Sequence, residues 1–254
     1  MAKKLSDEEI LKLASKKKYS EALEAAYTAC MYDFENRTLH KNLFLTRNLD
    51  LLSKESEYQD EAFKRFIEKN KSFNRLKEAL SHYKLGLIYE NGKKFKDAGK
   101  EYGEALKIIP EFAPALLRRG MVYEIRTAIK RAIKGEFLMP LGALLARTIE
   151  DYTKAGQVDP DFPLAFYCLA LHLKGQKTLL GDYTDQDLWN YFKCVALDPD
   201  CAAAHNNIGL IYVDRRDFEN AEKEFSEMLR IFPGHPTGVR NLEGAKKKKR
   251  RGYI

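Results

Sequence analysis

The stretch His82-Tyr83-Lys84-Leu85-Gly86-Leu87-Ile88-Tyr89 recurs as His205-Asn206-Asn207-Ile208-Gly209-Leu210-Ile211-Tyr212. Five of the eight positions are identical, and Leu85 against Ile208 is conservative. The likeness runs on: Ala98, Tyr102, Ala105 and Pro110 stand at the same offsets as Ala221, Phe225, Met228 and Pro233. A glycine inside a helix costs about 1 kcal/mol against alanine, so its return in the same context asks for a packing reason. Two helices that cross closely supply one. Gly86 against Ala98, and Gly209 against Ala221, are the small pairs expected at the crossing, with Tyr89, Tyr102, Tyr212 and Phe225 filling the space beside it. Pro110 and Pro233 end the second helix, because proline has no amide hydrogen to give to the preceding turn.

Worn copies lie between these two. Gly120 and Tyr123 repeat the glycine–tyrosine spacing, and Tyr152, Ala155 and Pro160 repeat the end of the second helix 16 residues late. Phe166, Leu169, Ala170 and Leu173 open another copy, whose Tyr191, Cys194 and Pro199 come five residues late. The 123 residues from Gly86 to Gly209 are filled by three 34-residue periods carrying those two insertions. Upstream, Lys17-Lys18-Tyr19-Ser20-Glu21-Ala22 parallels Lys93-Lys94-Phe95-Lys96-Asp97-Ala98, and Ala26 and Ala29 continue it. Residues 38–76 read as a further helical pair. Leu39, Leu43, Leu45, Leu49 and Leu52 lie on or beside one face of its first helix, and Ala62, Phe63, Phe66 and Ile67 on one face of its second.

The pattern resembles the tetratricopeptide repeat family, whose period carries L-G-x2-Y, then A-x3-F, then P. Only the family's tryptophan is missing, replaced by His82 and His205, both read as packing residues. The resemblance implies an all-α, right-handed superhelical solenoid of antiparallel helix pairs. Degenerate pairs are expected over 1–76 and the array over 79–235, with repeats near 79–112, 113–161, 163–200 and 202–235. A capping helix over 236–245 and a basic tail over 246–254 follow.

It also implies a protein–protein interaction scaffold or adaptor, not an enzyme, that holds a peptide or helix of another protein in a groove lined by the first helix of each repeat. The family's groove positions fall here on Tyr83, Lys84 and Leu87; on Leu117, Arg118 and Met121; on Tyr167 and Leu171; and on Asn206 and Asn207. Aromatic and aliphatic anchors with Lys84 and Arg118 on one ridge suit an amphipathic helix with an acidic edge, or an extended segment with apolar anchors. The clamp that some family members close on a chaperone's terminal carboxylate is disfavoured, because Tyr83 and Leu87 stand where it needs lysine and asparagine. In the insertion, Arg126 to Lys134 is basic and helix-compatible, and Phe137-Leu138-Met139-Pro140-Leu141 follows. It reads as a protruding partner-binding hairpin or as two lengthened helices.

Charge locates a second possibility. The 254 residues carry 44 Lys+Arg against 37 Asp+Glu, a net +7. Six of those positives are consecutive, Lys246-Lys247-Lys248-Lys249-Arg250-Arg251, leaving 38 against 37 elsewhere. Such a run meets nucleic-acid phosphates or an acidic surface with salt-dependent affinity, or it is a solvated end.

Other chemistry is set aside. Cys30, Cys168, Cys194 and Cys201 form no CxxC pair and no zinc-ligand spacing, and read as buried reduced thiols. HExxH, GxSxG and phosphate-loop motifs are absent, so neither catalytic residue, metal nor cofactor is assigned. Asp97, Asp151 and Asp217 are expected near second-helix starts, where a carboxylate favours the helix dipole. With no apolar run after Lys3-Lys4 and none long enough for a membrane span, a cytoplasmic protein is the expectation.

Overall fold

A computed structural model describes residues 5–15, 18–35, 55–134, 142–177 and 185–252. Among the described residues it is all α, a helical-repeat fold in two compact units. The first unit carries α1 (Asp7–Ser15), α2 (Tyr19–Glu35), α3 (Glu55–Asn70), α4 (Leu76–Asn91), α5 (Phe95–Ile108), α6 (Ala113–Lys134) and α7 (Gly142–Val158). The second carries α8 (Pro163–Lys177), α9 (Asp185–Leu197), α10 (Ala202–Asp214), α11 (Phe218–Ile231) and α12 (Pro236–Arg250). None of these helices is long and apolar enough to cross a membrane.

Local chemistry starts and stops the helices. Ser6 and Glu9 form a capping box before α1, with the Ser6 amide donating to Glu9 Oε2 at 2.7 Å and the Glu9 amide to Ser6 Oγ at 3.3 Å. Asp217 caps α11 by accepting from the Asn220 amide at 3.1 Å. The turns from α4 to α5 and from α10 to α11 are alike. Lys94 N donates to Tyr89 O and Asp217 N to Tyr212 O, the six-to-one bond of a Schellman ending. The residue inside each turn is left-handed without being glycine: Lys93 at φ 57° and Arg216 at φ 59°.

The pairs α4–α5, α6–α7, α8–α9 and α10–α11 are hairpins. The mid-helix glycines face the ring of the partner helix, rather than the alanines expected opposite them. A Cβ on Gly86 would stand 2.5 Å from the Tyr102 ring, on Gly120 2.6 Å from Tyr152, and on Gly209 2.6 Å from Phe225. Thus the aromatic residue of the second helix fills the space that the missing side chain leaves.

Between hairpins, α2 packs directly on α4. Ile10, Ala22, Ala26 and Ala29 share a core with Leu85 and Ile88, and α3 stands outside this stack. Most of the 16-residue insertion lengthens helices: α6 has 22 residues against 16 in α4, and α7 has 17 against 14 in α5. Because α7 starts at Gly142, Asp151 sits in mid-helix and not near a helix start, and its carboxylate binds Arg119 at 2.9 and 2.6 Å instead. Leu39, Leu43, Leu45, Leu49, Leu52 and Phe137 to Leu141 lie outside the described residues.

At the other end, no break separates a capping helix from the basic run, since α12 continues through Arg250. Cations in the last turn of a helix are favoured by its dipole. Lys246 and Lys249 also approach Glu222 of α11 at 3.9 and 3.7 Å. All four cysteines are free and buried.

Candidate partner-binding face

In both units most of the residues expected on the first-helix face are buried. In the first, Tyr83 of α4 is fully buried; its ring stacks on Phe63 of α3 at 5.6 Å and lies 4.7 Å from Phe112, which precedes α6. Phe66 of α3 stacks on Phe112 at 3.7 Å. At the rim, Arg65 donates to both carboxylate oxygens of Asp159, at 3.0 and 2.8 Å, and Lys69 reaches Glu111 at 3.1 Å. Beside this contact a small cavity of roughly 190 Å³ is lined by Ala62, Phe66, Ala113 and Val158 together with those ion pairs.

The other expected residues of this unit are buried as well. Lys84 Nζ lies 3.8 Å from Asp7 of α1, and Leu87, Leu117 and Met121 are buried. Arg118 is 1% exposed and donates to Glu90 Oε1 at 2.9 Å, while the Tyr102 hydroxyl donates to Glu90 Oε2 at 2.6 Å. Burial, with the Glu90 carboxylate beside it, pushes the Tyr102 phenol well up, so it stays a donor. The next repeat echoes this bond, with Tyr152 donating to Glu124 at 3.1 Å.

In the second unit, Tyr167 is buried edge-on to Tyr191 at 5.8 Å, and Leu171 is half-buried. Asn206 accepts from Asn241 of α12 at 2.9 Å. Asn207 donates to Ala203 O at 3.0 Å and lies 3.4 Å from the Tyr167 hydroxyl. Of the basic run, Lys247, Lys248, Lys249, Arg250 and Arg251 are exposed.

Sequence reasoning missed a latch inside the hairpins. His82 Nδ1 lies 2.9 Å from Glu101, and His205 Nδ1 lies 2.7 Å from Glu224. The second hairpin pair uses Arg119 and Asp151, with the acid at the same repeat position. The signal was present as an acid immediately before each Tyr102, Tyr152 and Phe225. Burial pulls the His205 imidazole down, but the Glu224 carboxylate and the Pro199 carbonyl outweigh it, and the net direction is up. Among the described residues no cluster of His, Cys, Asp or Glu is placed to hold a metal ion.

A family model described as tetratricopeptide repeat matches residues 79–112, and a second matches 193–236. Those two stretches are tetratricopeptide repeats. Solved structures agree in fold. The MamA protein is 19% identical over 67% of this chain and 82% of its own, with a TM-score of 0.54. A tetratricopeptide repeat protein from Parabacteroides merdae is 14% identical over 89% and 74%, with a TM-score of 0.51. A monomeric mutant of IFIT1 with Gppp-AAAA is 17% identical over 97% of this chain and 59% of its own, with a TM-score of 0.55. No curated protein matches the chain. Tetratricopeptide repeats support a protein-interaction scaffold as the general role.

Proposed function

We propose that this protein is a non-catalytic adaptor that binds a helix or peptide of a partner protein on its first-helix face. The observation that carries the reading is α3. A helix with aromatic anchors already packs on Tyr83 and Phe112, so the chemistry of this face suits an amphipathic helix. Within the first unit the reading takes in Tyr83, Lys84, Leu87, Leu117, Arg118 and Met121; within the second, taken by itself, Tyr167, Leu171, Asn206 and Asn207. Affinity capture with mass spectrometry tests this. Leu171→Glu should abolish capture while the thermal melt is unchanged, and undiminished capture by that variant overturns the reading.

A second reading rests on the exposed cations at the end of α12. On this reading Lys247, Lys248, Arg250 and Arg251 meet phosphates of nucleic acid or an acidic lipid surface. Deleting 246–254 should then remove salt-dependent binding to RNA or acidic vesicles and leave partner capture intact.

A further inference from the structure

Among the described residues, α3 differs from the hairpins in two ways. It follows α2 in sequence, yet α2 packs on α4 without it. It meets the unit through long side chains, where the hairpins close on glycines.

Its buried face is one stripe. Gln59, Ala62, Phe63 and Phe66 follow the i, i+3, i+4, i+7 spacing and are all at most 5% exposed. Glu57, Glu61, Lys64 and Glu68 on the other side are exposed. One member of the stripe fits badly. Gln59 is fully buried, and neither its Oε1 nor its Nε2 has a hydrogen-bond partner among the described residues. A buried unpaired amide works against docking, because its bonds to water are lost and not replaced.

We propose that α3 is an internal stand-in for the partner helix, seated on the first-unit face that the partner takes and displaced when it binds. The inference rests on the groove reading above. The partner it implies is a protein presenting an amphipathic helix that matches Phe63-Lys64-Arg65-Phe66-Ile67-Glu68-Lys69. Two aromatic residues three apart meet Tyr83 and Phe112, and cations at the rim meet Asp159 and Glu111. An apolar residue where α3 carries Gln59 lets such a helix win the exchange.

A labelled synthetic peptide of residues 55–70 is the probe, titrated by fluorescence anisotropy against full-length protein. Phe63→Ala with Phe66→Ala should free the face and bind the peptide at least tenfold more tightly than wild type. The peptide with both phenylalanines replaced should not bind. Should that variant fail to fold, hydrogen exchange on the wild type decides. Amides of α3 that exchange at least tenfold faster than those of α4 and α5, and are slowed by Gln59→Met, support the inference. A folded double variant that binds no tighter overturns it, as does an α3 that exchanges only with α4 and α5. Either failure leaves the groove reading standing if Leu171→Glu still abolishes partner capture; loss of that effect counts against the groove itself.

Discussion

In α4–α5 the latch runs from His82 to Glu101, and in α10–α11 from His205 to Glu224, with the same glycine facing the same ring position. The two hairpins part company on the outward face. The first has Tyr83 where the second has Asn206; inside the hairpin, Tyr102 bonded to Glu90 stands where the second has Phe225 and Val213. What covers each face explains the difference. Tyr83 meets aromatic rings of α3, whereas Asn206 meets Asn241 of α12. Closing the hairpin asks the same of both copies, a glycine with an aromatic ring facing it. Positions on its outer face are set by whatever docks there.

The largest test concerns the buried charges that only the first copy has. Replacing Arg118 by Met leaves Glu90 buried, with only the Tyr102 hydroxyl as a partner among the described residues, and should cost about 3–5 kcal/mol in denaturant unfolding. The second copy shows the apolar alternative, Val213 beside Phe225. Adding Glu90→Val and Tyr102→Phe to Arg118→Met should therefore recover most of the loss, because a buried ion pair is commonly matched by well-packed apolar side chains. If the triple variant stays as unstable as the single one, the network is more than a local alternative to the packing of α10–α11.

The shared feature predicts equal effects. Gly86→Ala and Gly209→Ala each push a methyl group into a ring at 2.5 and 2.6 Å. Each should destabilise by about 1–3 kcal/mol, read as a lowered chemical-denaturation midpoint. A clear inequality would mean that one ring, Tyr102 or Phe225, has room to yield.

The latch adds a pH dependence. Since the folded-state pKa of His205 is raised above its unfolded value, protonation is favoured by folding. Its contribution is fully present below the ordinary histidine value of about 6.5 and is lost as pH rises through the folded value. Wild type should thus exceed His205→Gln in stability by more under mildly acidic than under alkaline conditions. A difference that stays flat with pH would show that the pair to Glu224 works as a neutral hydrogen bond.

Residues that return at a fixed offset were legible in the sequence. Gly86, Gly120 and Gly209, with Tyr102, Tyr152 and Phe225, follow from periodicity, because each hairpin solves the same packing problem. The stripe of Phe63 and Phe66 was legible as a helix face, but its seat was not. Phe112, Asp159 and Glu111 lie in connections between helices, far away in the chain, and no period links them to α3. For the same reason Tyr83, Arg118 and Tyr167 read as open groove positions and are buried in the structure. Repeat arithmetic states which way a side chain points, not what the rest of the chain lays over it.

The smallest effect lies in the two turns. Lys93 and Arg216 adopt φ near +60°, a conformation that costs an ordinary residue roughly 1–2 kcal/mol. Glycine removes that cost but gives back about 0.5–1 kcal/mol through the greater freedom of the unfolded chain. Lys93→Gly and Arg216→Gly should each raise stability by about 0.5–1 kcal/mol, seen as a small rise in Tm. Both turns share the same Schellman bonds, from Lys94 N to Tyr89 O and from Asp217 N to Tyr212 O, so the two gains should match. Unequal gains would break the equivalence of the hairpins at the turn itself. Arg215 is the place to look, since its guanidinium pairs with Asp185 of α9 at 3.0 Å, whereas the first turn has Gly92 at that position.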